Sequence, residues 1–465
     1  MDFLSRRGFL HSSSLAAAAA VGLEPATAAV TAARSPNERP VFGWIGSGIR
    51  FHNLVPQVCA YGPLAAVCDV DAVQRGRGVQ SARQQHRDRS YPIDIYDYED
   101  YRAVLDRSDI DAIFISTPDH WHARVAVDAM QAGKDVYCEK PMTLTIAEGR
   151  WVADEVRRTG RVLQVGTQQR SDFDRRFAIA AALVREGRIG NTRRVTCSVG
   201  GCPVGFPIPE CAPPKHLNWD LWLGPAPWTP YLASPEIVQT DGYGAGHPAS
   251  RTHHYFRWWY EYSGGRLADW GAHHVDVAMW ALGKDNAGAG AFTLEPLHVV
   301  HASPLDERGM PVHADRYHTA CEFHVRVTFE DGVELDIIDD ASALLGFDNG
   351  IMFQGDSGRH FVNRGKLTGR PVEELGENPL PEDALDRLYG RSVTATDHVG
   401  DFVDCVRSNA APVSDAESHH RCLTVCHAAN IALRLGRKVR FDPATETFDD
   451  ALAQSFVERE RRGSW

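Results

Sequence analysis

Between residues 41 and 165 the hydrophobic positions fall into short unbroken runs separated by longer stretches of helical period. The runs at 41–45, 64–68, 112–116, 136–138 and 162–165 predict strands buried on both faces, because a strand covered on both sides needs no polar alternation. The stretches at 123–132 and 146–158 place apolar residues at helical spacing. Strand alternating with helix predicts a doubly wound parallel sheet. After Gly166-Thr167-Gln168-Gln169 the pattern changes. A helix is predicted over 177–186, stopped by Gly187, then a strand over 195–199 and a long loop rich in proline and tryptophan over 203–230. Phe323, Val325, Val327 and Phe329 alternate with polar residues, and Asp331-Gly332 turns the chain into Val333, Leu335 and Ile337, an antiparallel hairpin. A second hairpin is predicted at 354–365. The expected fold class is α/β, a doubly wound parallel sheet followed by an α+β domain with a large, mainly antiparallel sheet. There is no internal repeat.

The first strand runs into Gly46-Ser47-Gly48-Ile49-Arg50-Phe51. Two glycines allow a tight turn and let backbone amides approach a pyrophosphate at the following helix N-terminus. The third glycine position of this dinucleotide fingerprint holds Phe51, a departure, because that glycine normally lets helix and strand pack closely. The second strand ends at Asp69. A carboxylate there accepts from a ribose 2′-hydroxyl and repels a 2′-phosphate, so NAD is favoured over NADP, a preference that Arg75 and Arg77 temper. The third of these runs leads into Thr117-Pro118-Asp119-His120-Trp121-His122. Its two histidines have no third ligand nearby, so a cofactor-lining loop is expected and no metal. Residues 135–141 end in Glu139-Lys140-Pro141, which delivers an acid and an amine to the carboxyl edge of the sheet. Ligands of open α/β sheets bind at that edge, although a plain surface ion pair has the same sequence appearance.

The second half carries its chemistry at 264–276. Asp269 and His273 stand one helical turn apart, so on a single helix they share a face and can hydrogen-bond. Asp276 and Trp280 continue nearly that face, while Val275, Ala278, Met279 and Leu282 face a core. A buried Asp-His pair fits a structural role as well as catalysis. Arg257-Trp258-Trp259-Tyr260 reads as an aromatic strand edge, suited to the faces of a sugar ring or to core packing. The loop with Lys215, His216, Asn218 and Trp219 is placed to cover a pocket, and His398, His419, His420 and His427 have solvated or core roles.

A chain of 465 residues exceeds one ordinary core, and a net charge of -12 argues against nucleic acid or an anionic membrane as partner. Ser5-Arg6-Arg7-Gly8-Phe9-Leu10 is a twin-arginine pattern, followed by an alanine-rich segment and a small-residue cleavage site, Ala26-Thr27-Ala28. Export of the folded protein to the periplasm or another extracytoplasmic space is therefore expected. No later stretch is long and apolar enough to anchor it in a membrane. A protein folded in the cytoplasm cannot depend on disulfides, which leaves Cys202 and Cys211 as the one candidate pair and Cys422 and Cys426 as core residues. The expected organisation is a leader and linker over 1–35, a dinucleotide-binding domain over 36–165 and a substrate-binding domain over 166–465.

The glycine turn, Val67-Cys68-Asp69, Thr117-Pro118 with His122, Ala132-Gly133-Lys134 and Glu139-Lys140-Pro141, in this order and spacing, resemble the glucose-fructose oxidoreductase / inositol dehydrogenase (Gfo/Idh/MocA) family. The resemblance runs through most of the chain after the leader. It implies a Rossmann domain that holds NAD through Gly46, Ser47, Gly48, Ile49, Arg50, Asp69, Thr117, Pro118, His122, Glu139 and Lys140. It places Lys140 beside the nicotinamide and matches Asp269 and His273 to the family's second motif. The implied chemistry is hydride transfer from a secondary hydroxyl of a carbohydrate. His273 takes the hydroxyl proton, Asp269 orients it and Lys140 steadies the oxygen. Independently of the resemblance, the aromatic edge offers Arg257 and Trp258 as further substrate contacts. Association into a homo-oligomer through the antiparallel sheet is also implied. Outside the cytoplasm no pool of free NAD exists, so the cofactor is expected to stay bound. One alternative is an NAD-dependent glycoside hydrolase working through a transient 3-keto sugar. Family glycosidases resemble Glu-Val-Pro where this chain has Glu139-Lys140-Pro141, which favours oxidoreduction. The other is a non-catalytic dinucleotide- or sugar-binding protein, which has no need of Lys140, Asp269 and His273 together.

Overall fold

The apolar runs become a six-stranded parallel sheet in a computed structural model that describes residues 39–238, 248–286 and 288–463. The twin-arginine pattern and cleavage site lie outside the described residues. The strands are β1 (Phe42–Ile45), β2 (Leu64–Cys68), β3 (Tyr96–Tyr98), β4 (Ala112–Ile115), β5 (Asp135–Cys138) and β6 (Leu163–Val165). Their order is β3-β2-β1-β4-β5-β6, so the winding reverses between β1 and β4 and opens a crevice at the carboxyl edge. The hydrophobic pattern does not announce β3, a Tyr-Asp-Tyr edge strand with two exposed residues, because an edge needs no apolar run.

The connections are α1 (Ile49–Tyr61), α2 (Ala72–Arg89), α3 (Arg102–Leu105), α4 (Asp119–Gln131) and α5 (Ile146–Thr159). Asp71 caps α2 by accepting from the amides of Val73 and Gln74, and Thr145 caps α5 through the amide of Glu148. One face of the sheet is an aromatic layer in which the Phe114 ring stacks on Trp44 and on Tyr137, each at 5.0 Å. Phe51 joins that layer 4.7 Å from Trp44, so a large ring fills the place of the missing third glycine. Close approach of a helix to the turn is supplied instead by Gly78 of α2, where a Cβ would meet the Ser47 Cβ at 2.8 Å.

Beyond β6, α6 (Arg176–Arg185) ends before Gly187, as its period predicts. The second sheet has nine strands. They are β7 (Thr192–Ser198), then, after a separate pair β8 (Ala233–Val238) and β9 (Pro248–Ser250), β10 (Phe292–His301), β11 (Ala320–Phe329), β12 (Glu334–Ile338), β13 (Gly350–Gly355), β14 (Arg359–Val362), β15 (Leu367–Thr368), β16 (Val439–Asp442) and β17 (Thr447–Phe448). The order is β15-β14-β13-β7-β12-β11-β10-β16-β17, antiparallel throughout except where β7 lies parallel to β12. The first predicted hairpin is present, with Val327 opposite Leu335, and the second lies a few residues earlier than 354–365, in β13 and β14, with Phe353 opposite His360. The helix Ala416–Leu435 packs against α5 and against β10 and β11, so one hydrophobic cluster runs from β5 and β6 into the second sheet. Among the described residues no helix is long and apolar enough to cross a membrane.

Candidate active site

A cavity opens at the carboxyl edge of the parallel sheet, with its floor at the turn after β1. Gly46 has φ +88°, and a Cβ there would sit 2.7 Å from the backbone of Ser116 and Thr117, so only glycine allows β1 and β4 to meet. Gly48 lines the cavity, and a Cβ on it would meet nothing within 4 Å. No side chain caps α1, which leaves its first-turn amides facing this opening, the usual setting for a bound phosphate. Ser47 does not line the cavity. Its amide and hydroxyl donate to Asp69 Oδ2 at 2.7 and 3.2 Å, so it holds the acid rather than reaching the opening itself.

Asp69 Oδ1 accepts from the Asp71 amide at 2.9 Å. Burial pushes the Asp69 carboxyl up, against the lowering effect of these hydrogen bonds. Arg75 donates to the Asp69 carbonyl at 2.7 Å and to Asp97 at 3.0 Å, and Arg77 is exposed. Thr117 and Pro118 line the cavity, and Thr117 Oγ1 is buried with no hydrogen-bond partner among the described residues. His122 bridges the Pro141 and Thr117 carbonyls at 2.7 and 2.9 Å and latches the two strand ends together. His120 instead contacts the Trp222 carbonyl at 3.0 Å, and burial pushes its pKa down to about 3.

At the end of β5, Glu139 accepts from Arg50 at 2.6 Å and from Gln168 at 3.0 Å, which pins Arg50 across the mouth of the turn. Lys140 Nζ donates to Asp269 Oδ1 at 2.5 Å and to the Asp269 carbonyl at 2.9 Å. The expected Asp269–His273 bond is absent. Helix α7 (Trp219–Leu223) lies over the cavity, and the motif itself is split between α8 (Gly265–Asp269) and α9 (Gly271–Leu282). Trp270 interrupts the helix, and the Asp269 carboxylate turns to Lys140, to Arg266 at 3.2 Å and to Arg257 at 3.6 Å. Burial works against the charged carboxylate, but Lys140, Arg257 and Arg266 outweigh it and hold Asp269 well below the usual carboxylate range. His273 lines the same cavity, with Nδ1 buried and unpartnered. Burial first, then the charges of Lys140 and Arg364, push its pKa well down, so the ring stays neutral.

Other expectations are corrected. The segment read as an aromatic strand edge begins as a 3-10 helix, His253–Trp258. Its geometry turns Arg257 to the cavity and Trp258 away from it, into an aromatic cluster beneath Arg266, whose guanidinium lies 5.5 Å from the Trp258 ring. Cys202 does not face Cys211. Its sulfur lies 3.4 Å from the Thr319 carbonyl, as Cys321 does at 4.0 Å, Cys211 is exposed, and all are free thiols. Asp276 is a buried structural acid, bound by both ends of Arg170 at 2.7 and 2.9 Å. His274 sits between Gln169 and Asn349 at 3.2 and 3.1 Å. The covering loop contributes Leu217, Leu221 and Trp222. Arg364, in the turn between β14 and β15, was not anticipated. It lines the cavity with its guanidinium 4.7 Å from the Trp270 ring and 4.9 Å from Phe173.

The fold and the cavity define an NAD-binding oxidoreductase fold. Residues 64–167 match the model of an oxidoreductase family with an NAD-binding Rossmann fold, and residues 207–296 and 384–465 match its C-terminal alpha/beta domain. Together the two models cover more than half of the chain, which belongs to the Gfo/Idh/MocA oxidoreductase family. A curated relative, an alpha-N-acetylgalactosaminidase of Shewanella oneidensis, is 33% identical over 152 residues, a stretch that spans 32% of each protein. Among solved structures, the WlbA dehydrogenase of Bordetella pertussis in complex with NADH and UDP-GlcNAcA has a TM-score of 0.56 at 16% identity, covering 86% of this chain and 98% of that one. The aldose-aldose oxidoreductase of Caulobacter crescentus has a TM-score of 0.52 at 19% identity, covering 87% and 100%. These likenesses are of fold.

Proposed function

We propose that the protein is an NAD-dependent oxidoreductase acting on a secondary hydroxyl of a sugar or sugar derivative. The observation that carries the reading is the Lys140–Asp269 ion pair and a neutral His273 in one cavity that the glycine turn also lines. The residues present suit a dinucleotide. Gly48 leaves room that a Cβ would occupy, the N-terminus of α1 has no side-chain cap, and Thr117 Oγ1 is buried without a partner. Gly46, Ile49, Arg50, Pro118 and Glu139 complete that cradle. NAD is preferred to NADP because Asp69 offers a carboxylate where a 2′-phosphate would fall, while Arg75 is engaged with Asp97.

A bound nicotinamide supplies the hydride acceptor. The His273 imidazole takes the proton of the substrate hydroxyl, and its depressed pKa keeps it in the accepting form. Lys140, fixed by two bonds to Asp269, donates to the same oxygen as negative charge develops. Asp269 is thus the positioning partner of Lys140 and not of His273. The leader motif supports work outside the cytoplasm with a cofactor that does not leave, and the polar face of the second sheet, with Arg194, Arg326, Glu334 and Asp336, is the surface proposed for self-association.

A second reading, an NAD-dependent glycoside hydrolase, is favoured by the likeness of part of the chain to an alpha-N-acetylgalactosaminidase. The test is made on freshly purified protein. Mass spectrometry should find nicotinamide cofactor at near-stoichiometric occupancy, and added sugar should reduce it and leave a keto sugar or lactone. Release of free sugar from a glycoside in deuterated water, with deuterium beside the transient ketone, would establish the hydrolase instead. Protein that purifies empty and never binds NAD would sink both.

A further inference from the structure

Cys202, which turns away from Cys211, stands against another thiol. Its Sγ lies 3.4 Å from the Thr319 and Pro203 carbonyl oxygens, and Cys321 Sγ lies 4.0 Å from the same two atoms. Two sulfurs that share both acceptors are neighbours, and Cys202 also donates to Cys321. That bond raises the Cys202 pKa and lowers that of Cys321. The backbones approach as closely, since a Cβ on Gly201 would strike the Cys321 carbonyl oxygen. Cys202 is half-buried and Cys321, near the start of β11, is buried.

The segment that carries Cys202 has few backbone ties. The amides of Gly200 and Ile208 donate to the Asp339 and Asp315 carbonyls, each at 2.8 Å. Between them, among the described residues, no backbone amide donates to a backbone carbonyl, and Pro203 and Pro207 have no amide to give. Val204 is 74% exposed. The same segment nonetheless supports the cavity wall, because the Gly201 carbonyl accepts from Arg266 at 3.3 Å and Arg266 binds Asp269. A covalent tie at Cys202 would hold this stretch to β11 where hydrogen bonds do not. The remaining cysteines offer no such pair. Cys197, Cys422 and Cys426 are sealed in the core, where a buried thiol behaves as a small apolar side chain and no reagent arrives.

We propose that Cys202 and Cys321 form a dithiol–disulfide site, closed by exchange with a small disulfide such as oxidised glutathione, that staples residues 201–207 to β11. In the first step Cys202 Sγ bonds to one sulfur of the reagent, and the other half leaves as a thiol. Cys321 Sγ then displaces the remaining half from Cys202, and it leaves as a second thiol. Each protein thiol gives its proton to a departing thiol, so two protein sulfurs are oxidised and the two of the reagent are reduced. The bond closes a long loop of chain, which stabilises the fold by restricting the unfolded state.

The test treats the folded full chain, unmutated and with Cys211→Ser, with oxidised glutathione. The protein is then alkylated, unfolded and mapped by mass spectrometry. Both proteins should yield a peptide pair linking Cys202 to Cys321, lighter by two hydrogens than the free thiols and without retained glutathione. Cys321→Ser should stop at the first step and keep one glutathione on Cys202. The oxidised protein should unfold at a higher urea concentration than the reduced one, a shift that dithiothreitol reverses and Cys202→Ser abolishes. The linkage is read in the unmutated protein, so a variant that fails to fold leaves the proposal decidable. Cys202 and Cys321 recovered as free thiols, glutathione retained on Cys202 while Cys321 is present, or a link from Cys202 to Cys211 overturns the site. A linked pair with no rise in urea midpoint overturns the staple.

Discussion

Lys140 and Asp269 lie 129 residues apart in sequence and meet twice, the ammonium donating to the Asp269 carboxylate at 2.5 Å and to its carbonyl at 2.9 Å. The contact ties the end of β5 to the end of α8 and fixes an amine that would otherwise sweep the cavity. Lys140→Ala should lower turnover by roughly 10²- to 10⁴-fold, because it removes the donor that steadies developing alkoxide charge. Cofactor occupancy should survive, since Arg257 and Arg266 still hold Asp269. Kinetics together with bound-cofactor absorbance separate the two effects, and a near-normal rate would remove Lys140 from the chemistry.

The glycine turn offers a paired test of position. Gly46→Ala should destabilise the fold by about 1–3 kcal/mol or more, since it places a side chain in left-handed backbone and against the Ser116–Thr117 backbone at 2.7 Å. Gly48→Ala should unfold at the same denaturant concentration as the parent, because nothing stands within 4 Å of the new Cβ. It should nonetheless bind dinucleotide more weakly, as the methyl group enters the cavity floor. If Gly48→Ala binds NAD as tightly as the parent, the cradle lies elsewhere.

Buried histidines set the response to acid. Burial holds His120, His274 and His427 at about 3, against 6.5 in an unfolded chain. At pH above 6.5 neither state binds these protons and stability is at its full value. As pH falls, the unfolded chain takes up protons that the fold refuses, so stability is lost from there downward. Each such histidine costs about 1.4 kcal/mol per pH unit below its unfolded value. Urea midpoints should therefore fall steeply between about pH 6.5 and 5. The His273 ring, depressed by burial and by Lys140 and Arg364, should keep the acid limb of kcat/KM below 6.5, and Arg364→Gln should move that limb upward.

What the sequence disclosed follows from range. Runs such as 112–116 announce strands because both faces are covered, and Gly46, Gly48, Asp69 and Lys140 are readable because the turn and the strand ends that present them are local. Asp269 and His273 both line the cavity, but the hydrogen bond that their spacing predicts is absent. Helical spacing assumes an unbroken helix, whereas Trp270 separates α8 from α9 and the carboxylate binds Lys140, which follows β5 of the parallel sheet. Of the two roles open to Trp258, the structure gives core packing and not a cavity contact, because a 3-10 turn rotates its residues differently from a strand. Arg364 carried no local signal at all. It reaches the cavity only because the β14–β15 turn folds back over Trp270, which is a property of tertiary packing.

Cofactor choice provides a further check. Asp69→Ala should weaken NAD binding and narrow the gap to NADP, since it removes a ribose acceptor and a charge that repels a 2′-phosphate. It also frees the Ser47 amide, which would then need another acceptor. Calorimetric titration of the apoprotein with both dinucleotides measures the change. Tighter binding of NADP by the parent protein would overturn the role given to Asp69.

Asp276 on α9 is a structural acid, in contrast to Asp269 at the end of α8, which binds Lys140. Its carboxylate is fully buried and bound by both ends of the Arg170 guanidinium, which itself lies under Trp280 and has no route to water. Burial opposes the charge, but Arg170 and His419 outweigh it and hold Asp276 at about 2. Asp276→Ala leaves that guanidinium buried without its counter-ion and should cost about 3–5 kcal/mol of stability. Asp269→Asn should behave in the opposite way. Its three cations border the cavity, where water can hydrate them, so the loss of stability should be smaller while turnover falls as Lys140 loses its anchor. Urea unfolding of both variants, with turnover normalised to the folded fraction, reads the contrast directly. Equal stability losses, or an unchanged rate in Asp269→Asn, would mean that the two acids do the same work and that Lys140 needs no positioning partner.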